Sequence, residues 1–175
     1  LSWDDSRKYD RGKVLNAEQL DSVEKFGRYL DVDGDAIPYR TYPGTHPTKG
    51  AFFTRGTSRD PMAVYTEDGA VYVQNMERLL AKWETAKSWV PAAELKANVP
   101  GRKQGMLYFG TSIHACEEAL DLLAEEGVHL NAIRVRAFPF GKEVEEFIAA
   151  HDEVFVVEQN RDAQLRTLLI NELEV

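Results

Sequence analysis

The sequence predicts an α/β protein: a three-layer domain with a mainly parallel sheet, preceded by an irregular arm and a helix. Three observations carry that expectation. From Gly105 onward, short apolar runs alternate three times with segments of helical period over short connections, the pattern of parallel strands joined by right-handed crossovers. Residues 1–60 hold few apolar runs and many breakers, among them Gly34, Pro38, Pro43, Gly44, Pro47 and Gly50. Between them, Met76, Leu79, Leu80 and Trp83 fall at the i, i+3, i+4, i+7 spacing of an amphipathic helix that Pro91 stops.

The elements follow in order. Residues 1–90 read as an arm of turns, short strands and a helix. Asn16 is a good N-cap with Gln19 three residues on, which starts a short helix through Leu20, Val23 and Phe26. Residues 91–104 read as a polar linker, and 105–175 as the α/β domain. In that domain Met106–Gly110 is the first strand, and Thr111 and Ser112 are offered as N-caps of a helix bearing Ile113, Cys116, Leu120 and Leu123 inward. Gly127 closes this helix. His129–Ala137 is the second strand, Lys142–Ala150 the second helix, and Arg161–Asn171 the last helix, with Leu165, Leu168 and Leu169 on one face. Val154–Val157 is the third strand, β-branched enough to predict burial on both faces.

Composition narrows the function. With 175 residues and 43% hydrophobic content, the chain is long enough for a sizeable core. Its formal net charge of -8 and its lack of a Lys/Arg-rich run speak against nucleic acid and against an anionic membrane surface. The longest apolar stretches, Met106–Phe109 and Val154–Val157, are too short to cross a bilayer, and residues 1–10 are too polar for a signal peptide. Cys116 is the single cysteine, so an internal disulfide or a cluster held by this chain is excluded and a reducing, cytoplasmic setting is expected. The chain starts at Leu1 and has no methionine before Met62, which suggests a processed product, an incompletely recorded chain or part of something longer.

Open α/β sheets bind ligands beyond the carboxyl ends of their strands. The crevice candidates are therefore Thr111 and Ser112 after the first strand, Pro139 after the second, and Glu158, Gln159 and Asn160 after the third. Thr111 and Ser112 could cradle a phosphate or simply cap a helix, and no GxGxxG or Walker pattern decides for the former. Asn160 could cap the last helix with Glu158 left in solvent, although three polar residues exceed what a cap needs. Cys116 sits on an apolar helix face, as a small buried residue does. The four histidines lack metal-ligand spacing, so no metal site and no catalytic residue is assigned. The run from Asp33 to Ala36 reads as a turn. In the arm, Arg40 could deliver a guanidinium to a carboxylate or phosphate of a neighbouring subunit, or form a salt bridge that fixes the arm.

Asp10–Leu15, Phe26–Tyr29, Asp33–Gly34 and Arg40–Gly44, followed by Thr66–Asp68, the Met76–Trp83 helix and Val156–Asn160 with Gln164, form an ordered series. In order and spacing, this series resembles the later part of the alpha subunit of 2-oxoacid:ferredoxin oxidoreductases, across most of the chain. The family commonly has Gly before the last glutamine, where this sequence has Ala163, and usually continues beyond the helix that ends here at Val175. The resemblance implies an arm and a transketolase C-terminal-like domain without the thiamine diphosphate machinery. It implies a non-catalytic part of the complex serving subunit assembly, inactive when isolated. Thiamine diphosphate, magnesium, an iron–sulfur cluster and coenzyme A are implied for the whole complex and none for this chain. The implied partners are the beta subunit, the rest of the alpha subunit and, through the complex, ferredoxin, with a homo-oligomer expected. The implied substrate is a 2-oxoacid, 2-oxoglutarate foremost. The alternative is a small α/β module that binds an anionic ligand such as coenzyme A in the crevice.

Overall fold

A computed structural model describes residues 4–53, 56 and 58–175. The chain divides into two units, Leu1–Thr85 and Ala86–Val175.

The first unit is built mainly from turns. Helix α1 (Ala17–Ser22) starts with a complete capping box: Asn16 accepts from the Gln19 amide and Gln19 accepts from the Asn16 amide, both at 2.9 Å. It stops at Ser22, before Val23 and Phe26, so it is shorter than the apolar spacing predicts. Leu20 is fully buried beside Gly50, whose φ is +80° and where a Cβ would stand 2.9 Å from Thr41 Cγ2 and 3.0 Å from Leu20 Cδ1. Isolated bridges tie Val14 to Arg40 and Arg59 to Tyr65. Aspartates fold the turns: Asp31 accepts from the Gly34 and Ala36 amides and Asp60 from those of Met62 and Val64. Helix α2 (Gly69–Lys87) has no buried residue, and Leu80 on its apolar stripe is 68% exposed.

The second unit is a three-layer α/β domain. Its strands are β1 (Glu94–Ala97), β2 (Gln104–Phe109), β3 (Asn131–Val135) and β4 (Glu153–Val157), in the order β1-β3-β2-β4. Strands β2, β3 and β4 run parallel, and β1 pairs antiparallel with β3. Helix α3 (Ile113–Glu125) covers one face, where Cys116 meets Met106, Tyr108 and Ala132. Helices α4 (Lys142–Ala149) and α5 (Gln164–Leu173) cover the other, packing Val144, Phe147, Leu165 and Leu169 on Leu107 and Ile133. Gly127, at φ +80°, ends α3 in a Schellman motif, with its amide on the Ala124 carbonyl and that of Val128 on Leu123.

Three expectations need correction. The span read as a polar linker, 91–104, supplies strand β1, whose Glu94 lies opposite Arg134 of β3. Strand β4 is an edge strand with Phe155 44% exposed, so it is not buried on both faces. Its apolar content feeds the two helical layers unevenly: Val154 and Val156 pack toward α4 and α5, and Val157 toward α3. The hydroxyls at the start of α3 do not cap it, because the chain enters through a 3-10 turn at Gly110–Ser112 and Ser112 makes no side-chain cap. Among the described residues no helix is long and apolar enough to cross a membrane.

Candidate functional site

The carboxyl ends of β2 and β3 and the start of α5 enclose a crevice of about 430 Å³. Such a volume, mainly apolar and placed where a parallel sheet opens, is what small-molecule sites use. Phe109, Phe138 and Phe140 supply aromatic walls, the latter two in an edge-to-face pair with centroids 5.0 Å apart. Leu165 and Leu168 of α5 form the opposite wall. The polar atoms come from Arg136, Asn160 and Gln164. Among these lining residues there is no histidine, cysteine or carboxylate.

The predicted site residues separate around this crevice. Asn160 lines it. Thr111 and Gln159 are exposed and meet each other, with 3.5 Å between Oγ1 and Oε1. Ser112 is 4% exposed and contributes to packing. Pro139 follows a cis peptide bond between the lining residues Phe138 and Phe140. Glu158 is not a solvated bystander. Its carboxylate accepts from the Leu165 amide at 2.8 Å and the Arg166 amide at 3.2 Å, and from the Asn160 side chain, while Asn160 Oδ1 accepts from Gln164 at 3.1 Å. Together they cap α5, whose N-cap position is held by Ala163 in the left-handed region without a side-chain cap of its own. Burial works to raise the Glu158 pKa, but the hydrogen bonds from Leu165, Asn160, Arg166 and Gln164 outweigh it and hold the carboxyl below its ordinary range.

Sequence reasoning missed Phe109, Arg136, Leu168 and the part of Gln164 in the lining. The available signal was position, since Phe109 ends β2 and Arg136 immediately follows β3. Arg136 is anchored by Glu94 of β1 at 3.2 Å, so the unrecognised strand also hid its partner.

Arg40 donates to the Arg11 carbonyl and lies 5.6 Å from the centroid of the Tyr42 ring, while its own amide and carbonyl bond Lys13 and Leu15. Among the described residues it thus holds the arm through a carbonyl and a ring, with no salt bridge. Asp31, Asp33 and Asp35 converge, with ligand atoms within 4.8 Å of one another, and Lys13 Nζ sits 2.6 Å from both Asp33 and Asp35. Cys116 is buried, which pushes its thiol pKa up, with the Glu117 charge adding to the effect.

A four-stranded, mostly parallel sheet between helical layers, with an antiparallel edge strand and a crevice at the strand ends, defines a three-layer α/β domain. No protein-family model and no curated protein matches the sequence. Among solved structures, the chain is similar to 2-oxoglutarate:ferredoxin oxidoreductase from Magnetococcus marinus, determined with 2-oxoglutarate, coenzyme A and succinyl-CoA bound. The TM-score is 0.77 at 20% identity, over 89% of this chain and 27% of that one. The likeness establishes a common fold, and this chain spans about a quarter of the neighbour's length.

Proposed function

We propose that this chain is the non-catalytic C-terminal part of the alpha subunit of a cytoplasmic, thiamine diphosphate-dependent 2-oxoacid:ferredoxin oxidoreductase, with 2-oxoglutarate as its substrate, and that it serves subunit assembly. One observation carries the reading: the structural similarity extends over 89% of the chain, more than either unit contains, in a protein whose sequence series independently resembles the same family. The chemistry of the residues agrees with a supporting role. Cys116 is lone and buried and cannot ligate a cluster, and the crevice offers no acid or base. On this reading thiamine diphosphate, magnesium and the iron–sulfur cluster belong to other parts of the complex. The exposed apolar side chains of α2, Val73, Leu79 and Leu80 among them, supply surface for the beta subunit or a second copy.

The test is co-expression with a beta subunit and a pyrimidine-domain segment. The expected result is co-purification and 2-oxoacid-dependent ferredoxin reduction by the assembly, with none by this chain alone. Leu80→Glu is expected to leave the melting temperature unchanged and to weaken co-purification. Calorimetric binding of thiamine diphosphate with magnesium to the isolated chain would overturn the reading.

A second reading, an anionic-ligand module, is favoured by the crevice and by Arg136 at its wall. The start of α5, however, is already occupied by the Glu158 carboxylate, which repels an anion there. Titration with coenzyme A alone decides between them: saturable binding that Arg136→Gln abolishes would promote the second reading.

A further inference from the structure

Strand β1 ends the sheet with its outer edge unpaired, since β3 is its one neighbour among the described strands. Such an edge is a row of backbone donors and acceptors that a further strand can complete, and proteins commonly guard it with a short strand, a charge or a bulge. β1 is four residues long, carries Lys96 and bulges between Leu95 and Ala97. Its side chains nevertheless form a pattern that a blocked edge does not need.

Leu95, at the centre, is 56% exposed and lines a cavity with Ile133 and Phe147 on the side of α4. Glu94 and Lys96 flank it on the opposite side of the sheet. Their common face is shown by the 3.5 Å between Glu94 Oε2 and Lys96 Nζ, and by the 3.1 Å pair of Lys96 with Glu117 of α3. The bulge keeps Lys96 on that face together with Ala97, which packs in the cluster under α3. The edge thus reads acid, leucine, base, a sequence that is its own complement when the strand direction is reversed.

We infer that β1 pairs antiparallel with β1 of a second copy of this chain, about a two-fold axis that passes perpendicular to the sheet at Leu95. Such an axis sets Leu95 against Leu95 of the second copy, and each Glu94 against the other copy's Lys96. Opposite charges directly across an antiparallel pair stabilise it and like charges oppose it. The charges also choose the register. A perpendicular axis keeps the two faces of the sheet matched, so the alternatives centre on Glu94 or on Lys96, and these put carboxylate against carboxylate or ammonium against ammonium. The other sheet edge, β4, has no such code, because Glu153–Val157 contains an acid and no base. The inference is independent of the oxidoreductase reading, and the interface is separate from the apolar face of α2.

The experiment is sedimentation velocity on the 175-residue chain over a concentration series. A reversible monomer–dimer equilibrium is expected. Lys96→Glu faces acid with acid and Glu94→Lys faces base with base, so each variant alone should dimerise about tenfold more weakly or worse. An equimolar mixture of the two should recover the dimer, because each copy then meets the opposite charge, and a general loss of stability cannot produce that recovery. Leu80→Glu should dimerise as the wild type does. Should Glu94→Lys fail to fold for want of its pairs with Arg134 and Arg136, Leu95→Lys is the second variant. It places two ammonium groups across the axis from an exposed position, and should give a monomer with an unchanged melting temperature. A wild-type chain that stays monomeric, a dimer of wild-type strength in Lys96→Glu or Leu95→Lys, a dimer lost in Leu80→Glu, or a mixture of folded charge variants no more associated than its parts would each overturn the inference.

Discussion

Asn131 Nδ2 donates to His151 Nε2 at 2.8 Å, while Asn131 Oδ1 accepts from the Val99 amide at 2.6 Å. His151 Nδ1 in turn lies at hydrogen-bond distance from the Phe147 carbonyl, which orients the ring. One buried amide at the start of β3 therefore joins the segment after β1 to the end of α4. Asn131→Ala leaves the Val99 amide and His151 Nε2 without partners and should cost about 2–3 kcal/mol. Urea unfolding measures it, and Asn131→Leu should be no better because both orphans persist.

Gly105 lies under the same aromatic pair. A Cβ there would stand 2.7 Å from Phe147 Cζ and 3.3 Å from the His151 ring. Gly105→Ala is expected to destabilise by about 1–3 kcal/mol through overpacking. Adding Phe147→Leu should recover part of the loss, and the double-mutant cycle in denaturant unfolding would show that coupling.

Ala163 occupies the left-handed region at φ 51° and ψ 49°, just before α5. A Cβ in that region costs roughly 1–2 kcal/mol, partly returned by the lower chain entropy of alanine in the unfolded state. Ala163→Gly should therefore stabilise the domain by up to about 1 kcal/mol, and Ala163→Val should destabilise it. A rise in melting temperature for glycine and a fall for valine is the check.

These positions also show what the sequence could disclose. The capping box at Asn16, the end of α3 at Gly127 and the three parallel strands were legible because each rests on local chemistry: a side-chain acceptor, a left-handed turn, a short apolar run. Strand β1 was not, because Glu-Leu-Lys-Ala has no buried alternation and Leu95 is 56% exposed. What holds β1 is non-local: the ladder to β3 and ion pairs joining Glu94 to Arg136 at 3.2 Å and Lys96 to Glu117 at 3.1 Å. The reading of β4 failed for the complementary reason, since apolar content does not reveal whether a strand stands at a sheet edge. The crevice was legible as a place, from the strand ends, but its lining was not, because Phe109 and Arg136 acquire their role from the neighbours that only the fold supplies.

Glu158 predicts a pH dependence. Its folded pKa lies below its ordinary value, so the native state favours the carboxylate. That contribution is complete above the unfolded glutamate pKa of about 4.3 and disappears as pH falls through the folded value. Glu158→Gln retains an acceptor but loses the charge at the start of α5, so it should lower stability at pH 7 by about 1 kcal/mol or less. Melting temperatures at pH 7 and at pH 3.5 test the sign: the gap between wild type and Glu158→Gln should close at the acidic end.

Arg40 separates a structural from a functional role in the arm. Its side chain bonds the Arg11 carbonyl and lies over Tyr42, and its backbone bridges to Val14, contacts that all fall within the first unit. Arg40→Ala removes the carbonyl hydrogen bond and the ring contact while leaving the backbone bridge, and a loss of about 1–2 kcal/mol follows. Arg40→Lys keeps the charge but not the planar fork, so it should recover less than half of that loss. If the chain has the function proposed above, kcat/KM of its complex for each 2-oxoacid and for coenzyme A should stay at the wild-type value in both variants. A guanidinium that reached a substrate carboxylate would instead give a selective rise in KM for the 2-oxoacid, with thermal stability preserved.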